Sequence, residues 1–428
     1  MNSSRRRFIN RSGSCLLGAS TLGSLAAVER GRADRNPRQD QEDPVLVTVY
    51  LRGGVDSLGV LVPYREKRYA EIRPTIAVPA PDAREGRVSL PLDGTFALNP
   101  NMPGLHALYE KGDCVPVVCV GSHHSTRSHF DAQDFMERGA PGLRHVKDGW
   151  LNRYLAETKS KRDVPLRALA LQPRLPRSLR GSYPVLAVPE QGTTAQVMDE
   201  FSDLFGLPPA AEGSSRGEGE RAMQRQIRQS GHDTIKQLRF LNDILAQSEG
   251  DGAPDYPDSP FARRMQKIAK VIKAKSGLEI AAVDYNGWDH HVDEGPVDGN
   301  MARHLASVSD GIEAFARDLG SRMSRVLVLV MSEFGRTVKE NGNEGTDHGH
   351  GGLMLAVGGM LNGKQVCGRW TGLEAGKLYE ERDLPVHTDF RVVLAETLHG
   401  LFGFDGIKAG LFPEYTPTSP PLEFMRPG

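Results

Sequence analysis

Histidine and acidic residues are concentrated in three short windows of this chain. Seven of the 13 histidines lie within residues 121–133, 284–294 and 343–352, and each window also contains aspartate. Imidazole and carboxylate groups are the ligands that a catalytic zinc ion takes while it keeps one coordination position open. The three windows together favour a metal or anion site, although His-His and Asp-x-His pairs also occur in ordinary polar loops. The seven histidines are His123, His124, His129, His290, His291, His348 and His350.

Apolar runs precede these windows and predict the elements that position them. Five β-rich runs read as strands covered on both faces, and amphipathic stretches between them read as helices. This alternation predicts an α/β protein with a mostly parallel central sheet and helices on both faces. Functional groups collect beyond the carboxyl ends of parallel strands, so Asp56, Asp289 and Glu333 are expected at one edge. The strand runs are 45–51, 115–120, 278–283, 325–331 and 353–357, and the helical stretches are 222–247, 261–274, 301–319 and 389–401.

Composition excludes several classes of function. Among 428 residues, Lys+Arg is 53 and Asp+Glu is 54, so no overall positive charge exists to hold nucleic acid or an anionic membrane. Four cysteines without a CxxC pair do not form a disulfide framework. No Gly-x-Gly-x-x-Gly follows a strand and no P-loop is present, which removes the usual support for a nucleotide-binding fold.

The N-terminus reads as a targeting segment. Arg5 and Arg6 precede an uncharged stretch at 12–28 that is rich in Gly, Ser and Ala. Residues 1–33 therefore resemble a twin-arginine signal peptide, which implies contact with the twin-arginine export machinery and a periplasmic or extracellular location. The stretch is too short and dilute to span a bilayer, so no integral membrane segment is expected in the mature protein. The alternative is an ordinary flexible basic N-terminus.

The remainder is expected to be one domain. Residues 34–43 are polar and predict a disordered lead-in. Residues 44–428 predict a single α/β domain with a helical insertion around 195–276, which contains the Pro/Gly/Ser-rich segment 207–220.

Five motifs carry a family resemblance. They are Leu51–Leu58 (LRGGVDSL), Arg127–Phe130 (RSHF), Gly287–His291 (GWDHH), Ser332–Arg336 (SEFGR) and Gly345–Gly349 (GTDHG). In this order they resemble a large family of exported bacterial proteins of unknown function that is placed near the sulfatases and alkaline phosphatases. The resemblance implies an alkaline phosphatase/sulfatase-like α/β core with divalent metal, zinc or calcium, at strand ends.

The resemblance also implies individual metal ligands. Asp56 resembles the N-terminal metal aspartate, and Glu333 stands where the superfamily has the Asp of an Asp-His pair. Phe334 replaces the His of that pair, which puts a second metal site in doubt. The implied ligand set is Asp56, Asp289, His291, Glu333, Asp347 and His348. The neighbouring His350 is the alternative to His348 as a ligand.

The catalytic candidates lie in the window 121–133. Ser128, inside the family motif, is the favoured nucleophile and Thr126 the second choice. His129 or His124 is the candidate proton donor, and Arg127 the candidate for stabilising anionic oxygens. No Cys-x-Pro-x-Arg is present, which disfavours a formylglycine sulfatase.

The residues thus predict a metal-dependent hydrolase of a phosphate or sulfate ester, acting on a small-molecule or glycan ester and exported in folded form. The alternative is a non-catalytic sulfatase-like scaffold that binds a glycan or an envelope partner. A third hypothesis, a redox cofactor enzyme, is motivated only by the export route.

Overall fold

The structure is a computed structural model that describes residues 43–158, 164, 166–189, 218–247 and 254–426. Residues from 43 onward form one compact unit. The predicted signal peptide at 1–33, nearly all of the lead-in and part of the helical insertion around 195–276 lie outside the described residues. No helix in these ranges combines the length and apolar composition needed to cross a membrane.

The strands of the described residues form a large sheet and a small one. The large sheet has eight strands in the order β11-β5-β10-β9-β1-β8-β6-β7, and the small sheet has the order β2-β4-β3. In the large sheet β10 runs antiparallel to β9 and β5, whereas the other neighbouring strands are parallel. The strands are β1 Val45–Arg52, β2 Leu61–Val62, β3 Leu90–Pro91, β4 Ala97–Leu98, β5 Cys114–Gly121, β6 Ala168–Ala170, β7 Leu186–Ala187, β8 Ile280–Asn286, β9 Val326–Met331, β10 Gly352–Gly358 and β11 Thr388–Asp389.

Helices cover both faces of the large sheet. Val47 and Val49 of β1 pack into one hydrophobic cluster, and Leu46 and Tyr50 of the same strand pack into the other. Successive side chains of a strand point to opposite faces, so both faces are buried and the strand runs are almost continuously apolar. The helices are α1 Ser57–Val60, α2 Lys67–Ile72, α3 Pro103–Lys111, α4 His129–Arg138, α5 Trp150–Thr158, α6 Glu218–Ala246, α7 Pro260–Lys273, α8 Asn300–Leu319 and α9 Phe390–Phe402.

Local sequence signals set the helix ends. The Ser259 side chain accepts a hydrogen bond from the backbone N–H of Ala262 at the start of α7, and Pro260 occupies the first helical position. Gly139 ends α4 and Gly403 ends α9, both in the left-handed conformation that lets the last carbonyls be satisfied. These stops fix where the loops between helices and strands begin.

One edge of the large sheet collects the polar loops. Strands β1, β5, β8 and β9 all end at this edge, and β10 begins there because it runs in the opposite direction. A β-bulge at Cys119, whose φ is 50°, bends β5 just before its end. The segments after β1, β5, β8 and β9 and before β10 therefore lie side by side.

The predicted α/β architecture with a mostly parallel sheet and helices on both faces is confirmed. Each of the five predicted strand runs and four predicted helices corresponds to an observed element. The antiparallel direction of β10 and the helix that begins at His129 were not predicted.

Candidate metal site

Three loops at this sheet edge bring the candidate ligands together. His129 is the first residue of α4, after β5; Asp289 and His291 lie in the loop after β8; His348 lies in the loop between β9 and β10. One ligand atom each of His129, Asp289 and His348 lies within 4.8 Å of the other two. Segments that are remote along the chain thus meet at one point, as a metal site requires.

The carboxylate of Asp289 lies among three imidazole rings. Its Oδ1 is 3.0 Å from Nε2 of His291 and 3.1 Å from Nε2 of His348. Its Oδ2 is 3.3 Å from Nε2 of His129. The Nε2 atoms of His291 and His348 are 3.0 Å apart. Three imidazole nitrogens and one carboxylate form a ligand set that suits zinc.

The second ring nitrogen of His348 fixes its tautomer. Nδ1 of His348 lies 2.8 Å from the backbone carbonyl oxygen of Arg127. Because a carbonyl oxygen only accepts hydrogen bonds, Nδ1 carries the proton and Nε2 presents its lone pair to the site. Burial lowers the pKa of His348, and the neighbouring charges of His129 and Arg336 lower it further. The neutral ring is the form that binds a metal.

Glu333 orients His129 rather than joining the ligand set. Its Oε1 is 2.8 Å from Nδ1 of His129 and accepts hydrogen bonds from the Gly53 backbone N–H at 2.9 Å and from Nε2 of Gln133 at 2.8 Å. Burial acts to raise the pKa of Glu333, but the hydrogen bonds from His129 and Gln133 outweigh it and lower that pKa. The same hydrogen bond raises the pKa of His129. A buried carboxylate behind a histidine is the usual support of a metal ligand.

Asp347 supports His291 in the same way. Its Oδ1 lies 3.2 Å from Nδ1 of His291. Asn341 donates to that carboxylate at 3.3 Å and to the backbone carbonyl of His291 at 2.9 Å. Burial acts to raise the pKa of Asp347, but the hydrogen bonds from Asn341 and His291 lower it. Asp347 therefore positions a candidate ligand from behind.

The nitrogen atoms that face the site test whether a cation fits. Nε2 of His129 is buried and, although it lies 3.3 Å from Asp289, it makes no hydrogen bond. Nε2 of His291 and of His348 face each other while the Nδ1 atom of each faces an acceptor. Lone pairs directed at one another repel, and a cation between them removes the repulsion. The donor set therefore fits a divalent metal.

Arg336 holds Asp289 in place. The guanidinium is 2% exposed and donates to the carboxylate of Asp289 and to the backbone carbonyls of Gly53, Gly54 and Trp288. Burial acts to raise the pKa of Asp289, but the hydrogen bond and charge of Arg336 prevail and lower it to about 2. Asp289 is therefore an anion at neutral pH.

Phe334 forms one wall of the site. Its ring centroid lies 5.0 Å from that of His129 and 5.1 Å from that of His348. Gly54 has a φ of +71°, and a Cβ at this position would lie 2.5 Å from the Phe334 ring. The glycine is thus required both by its backbone conformation and by the close approach of the ring. Within the described residues, no second group of three His, Cys, Asp or Glu side chains meets in this way.

Asp56, which the sequence predicts as a metal ligand, is not part of the cluster of His129, Asp289 and His348. Its carboxylate is 2% exposed and forms a two-point ion pair with Arg73, with Nη1–Oδ2 of 2.6 Å and Nη2–Oδ1 of 2.9 Å. Both carboxylate oxygens are engaged by a buried guanidinium, so we leave Asp56 out of the ligand set. The sequence indicates that Asp56 follows β1 but not that Arg73 folds back onto it.

The catalytic candidates line the segment before α4. Ser128 is exposed and is the N-cap residue of α4, but its side chain makes no capping hydrogen bond. The hydroxyl of Thr126 accepts from the Ser128 backbone N–H at 3.2 Å. Nδ1 of His124 accepts from the Thr126 backbone N–H at 3.1 Å. The guanidinium of Arg127 pairs with Asp383 at 2.8 Å, so this side chain is committed elsewhere and contributes to the site through its carbonyl.

Gln133 supports the site through Glu333, a role that the sequence analysis did not predict. It lies one helical turn after His129 on α4, donates to Glu333 at 2.8 Å and accepts from Arg52 at 3.1 Å. The signal available in the sequence was its spacing of four residues from a candidate ligand, which places both on one helix face once α4 is known.

His350 is buried and stacks on Tyr379 with ring centroids 4.1 Å apart.

Comparison with known sequences gives one family. A family profile described as "Protein of unknown function (DUF1501)" matches residues 117–409. The match includes four of the five motifs and begins after the first, at 51–58. No curated protein matches the chain.

Solved structures give weak likenesses. The C-terminal periplasmic domain of EcEptC from Escherichia coli, in complex with Zn, matches at 9% identity over 74% of each chain, with a TM-score of 0.33. BT1596, a 2-O GAG sulfatase, matches at 9% identity over 76% of this chain and 66% of that chain, with a TM-score of 0.28. The phosphonate monoester hydrolase of Agrobacterium radiobacter matches at 10% identity over 73% and 68%, with a TM-score of 0.29. Likenesses this weak carry no argument about fold or activity.

Proposed function

Because the chain belongs to the DUF1501 family, whose description names no reaction, we propose from the geometry of its site that the protein is a metal-dependent hydrolase of phosphate or sulfate esters. The observation that carries the proposal is the convergence of three imidazole Nε2 atoms on the Asp289 carboxylate. The proposed ligands are His129, Asp289, His291 and His348. Nitrogen donors favour zinc over calcium, which takes oxygen ligands.

The start of α4 is the proposed binding place for the anionic part of the ester. The first backbone N–H groups of a helix have no partner within the helix and attract anions. Ser128 does not cap these groups with its side chain. A divalent metal held by His129, Asp289, His291 and His348 would supply Lewis-acid polarisation of the ester. Because α4 begins at His129, the first backbone N–H groups of the helix and the metal ligands would bind the same anionic group of the ester.

Ser128 is the proposed nucleophile, with Thr126 as the alternative hydroxyl. Ser128 is exposed and directly precedes a proposed ligand, whereas the hydroxyl of Thr126 already accepts a hydrogen bond. His124 is the proposed proton donor to the leaving group. It would donate as the imidazolium, and the hydrogen bond that its Nδ1 accepts from the Thr126 N–H would break when that nitrogen gains a proton.

Substitution of Asp289 tests the proposal. The purified protein should contain zinc and hydrolyse an aryl phosphate or an aryl sulfate. Asp289→Asn should lose the metal and at least ~100-fold in kcat/KM, since a first ligand and its charge are removed. Asp298→Asn, a change at an 82% exposed carboxylate in the same loop, should behave like the wild type. A wild-type protein that binds no metal and hydrolyses neither ester contradicts the proposal.

A scaffold without turnover is the second candidate. Phe334 occupies the sequence position where a second metal histidine is expected, and its ring packs on His129 and His348. Glycan binding that persists in chelator, with no hydrolysis of any ester tested, would favour this function.

We also infer export in folded form by the twin-arginine route. The support is the Arg5-Arg6 pair and the uncharged stretch that follows, which lie outside the described residues. Residues 1–33 fused to a reporter should deliver it to the periplasm, and Arg5→Lys with Arg6→Lys should abolish delivery. Delivery of both fusions alike would contradict the inference.

A further inference from the structure

Two exposed apolar side chains flank the proposed metal ligands. In the part of the chain that the structure describes, the exposed large hydrophobic residues are Phe130, at 82%, and Val292, at 55%. Phe130 directly follows His129, and Val292 directly follows His291. Single exposed hydrophobic residues are ordinary on a protein surface. Here, however, both of them adjoin histidines of one cluster, so they share a location as well as a chemical character.

Hydrogen bonds fix the backbone beneath Phe130. It is the second residue of α4, and its carbonyl accepts from Nη1 of Arg177 at 3.4 Å. That arginine is itself held by Asp134 of the same helix at 2.7 Å. Phe130 is thus presented to solvent by a defined element at the start of the helix that carries His129.

The backbone beneath Val292 is equally constrained. The next residue, Asp293, donates its N–H to the Asn343 carbonyl at 3.0 Å. A Cβ on Gly345 would lie 2.8 Å from the Val292 nitrogen, so this loop packs closely on its neighbour. The backbone of both residues is therefore fixed by contacts beside the site, and both side chains are exposed to solvent.

We infer that Phe130 and Val292 bind the apolar alcohol portion of the substrate, so the substrates are esters of aromatic or alkyl alcohols. This inference rests on the proposed function. The ligand set is open to solvent, with 45% of the Asp289 side chain and 39% of the His291 side chain exposed. An ester whose charged group lies at the metal would have its alcohol portion in the solvent-open space around the ligands, where Phe130 and Val292 are exposed. Val292 offers no flat face for a sugar ring, whereas both side chains suit a hydrocarbon or aryl group.

The test compares methylphosphonate with hexylphosphonate, two non-hydrolysable anions with the same charged group. Titration calorimetry on the zinc-loaded full chain should show hexylphosphonate binding at least ~10-fold more tightly, because the added methylenes leave water. Phe130→Ser and Val292→Ser should each reduce this ratio, and the double variant should bring it close to one. Phe130→Leu keeps an apolar side chain and should keep the preference.

Two results overturn the inference alone. One is equal affinity of the wild type for both phosphonates while ester hydrolysis is intact, which leaves the proposed function standing. The other is a hexyl preference that survives in the double variant, which places the apolar contact elsewhere. If neither phosphonate binds the zinc-loaded protein and no ester is hydrolysed, the proposed function fails and this inference fails with it.

Discussion

Two buried carboxylates near the sheet edge have different partners and therefore different tasks. Glu333 receives hydrogen bonds from His129, Gln133 and the backbone of Gly53. Asp56 is matched instead by the guanidinium of a buried arginine. A carboxylate that supports a histidine tunes metal affinity, whereas one that neutralises a buried cation contributes to the stability of the fold. Substitution at each position separates the two roles.

Glu333→Gln should lower zinc affinity about 10- to 100-fold, because the neutral amide orients and polarises His129 less strongly. The change keeps the shape of the side chain, so the fold should persist. Competition with a chromophoric chelator measures the affinity. Glu344→Gln, at an exposed position in the loop before β10, is the matched control and should leave affinity unchanged. Equal zinc affinity in all three proteins would contradict the supporting role of Glu333.

Asp56→Ala should destabilise the protein by about 3–5 kcal/mol, because it leaves the Arg73 guanidinium buried without a counter-charge. Urea unfolding measures the loss, and Asp298→Ala at the exposed carboxylate provides the control. The folded fraction of Asp56→Ala should still bind zinc with wild-type affinity. Loss of zinc with unchanged stability would return Asp56 to the ligand set.

At the scale of elements, the sequence predicts strands that are buried on both faces, but it does not predict helices that are short and half polar. The run at 326–331 is apolar throughout because β9 is covered on both sides, so its pattern is unambiguous. The helix α4 has ten residues, of which Ala132, Phe135, Met136 and Glu137 are buried, and the sequence gives it little apolar periodicity. The direction of β10 is invisible in its sequence, because buried parallel and antiparallel strands have the same composition.

The turn after β1 supplies a prediction about backbone geometry. Gly54→Ala should destabilise the fold by roughly 1–3 kcal/mol and weaken zinc binding, because the residue has a φ of +71° and its Cβ would overlap the Phe334 ring. Displacement of that ring disturbs the two histidines packed on it. Thermal unfolding and zinc titration measure the two effects.

Gly94→Ala is the control for Gly54→Ala. A Cβ at Gly94 would meet no atom within 4 Å, and its φ lies outside the strained range. This change should leave zinc affinity unaltered and stability equal or slightly higher, because alanine restricts the unfolded chain. If both variants behave alike, the close packing of Gly54 against Phe334 does not matter for the site.

At the scale of the whole molecule, the sequence indicates which loops share an edge but not which side chains meet. Strand ends placed Asp289 at one edge, and the structure brings it together with His129, His291 and His348. The same reasoning placed Asp56 there, but its partner Arg73 directly follows α2, and a rule about strand ends does not predict that contact. Contacts of this kind depend on side-chain packing in three dimensions, and a one-dimensional pattern does not contain them.

Closure of the site joins loops that are remote along the chain, so metal binding should stabilise the entire compact unit. A ligand that binds only the folded state adds about 2.7 kcal/mol to the free energy of unfolding when its free concentration is 100 times Kd. The urea midpoint of the metal-free protein should therefore rise on addition of zinc. Asp289→Asn should show no rise, and magnesium at equal ionic strength should have little effect, since it prefers oxygen ligands. An unchanged midpoint with excess zinc would mean that His129, His291 and His348 meet for a structural reason alone, and the hydrolase proposal would lose its foundation.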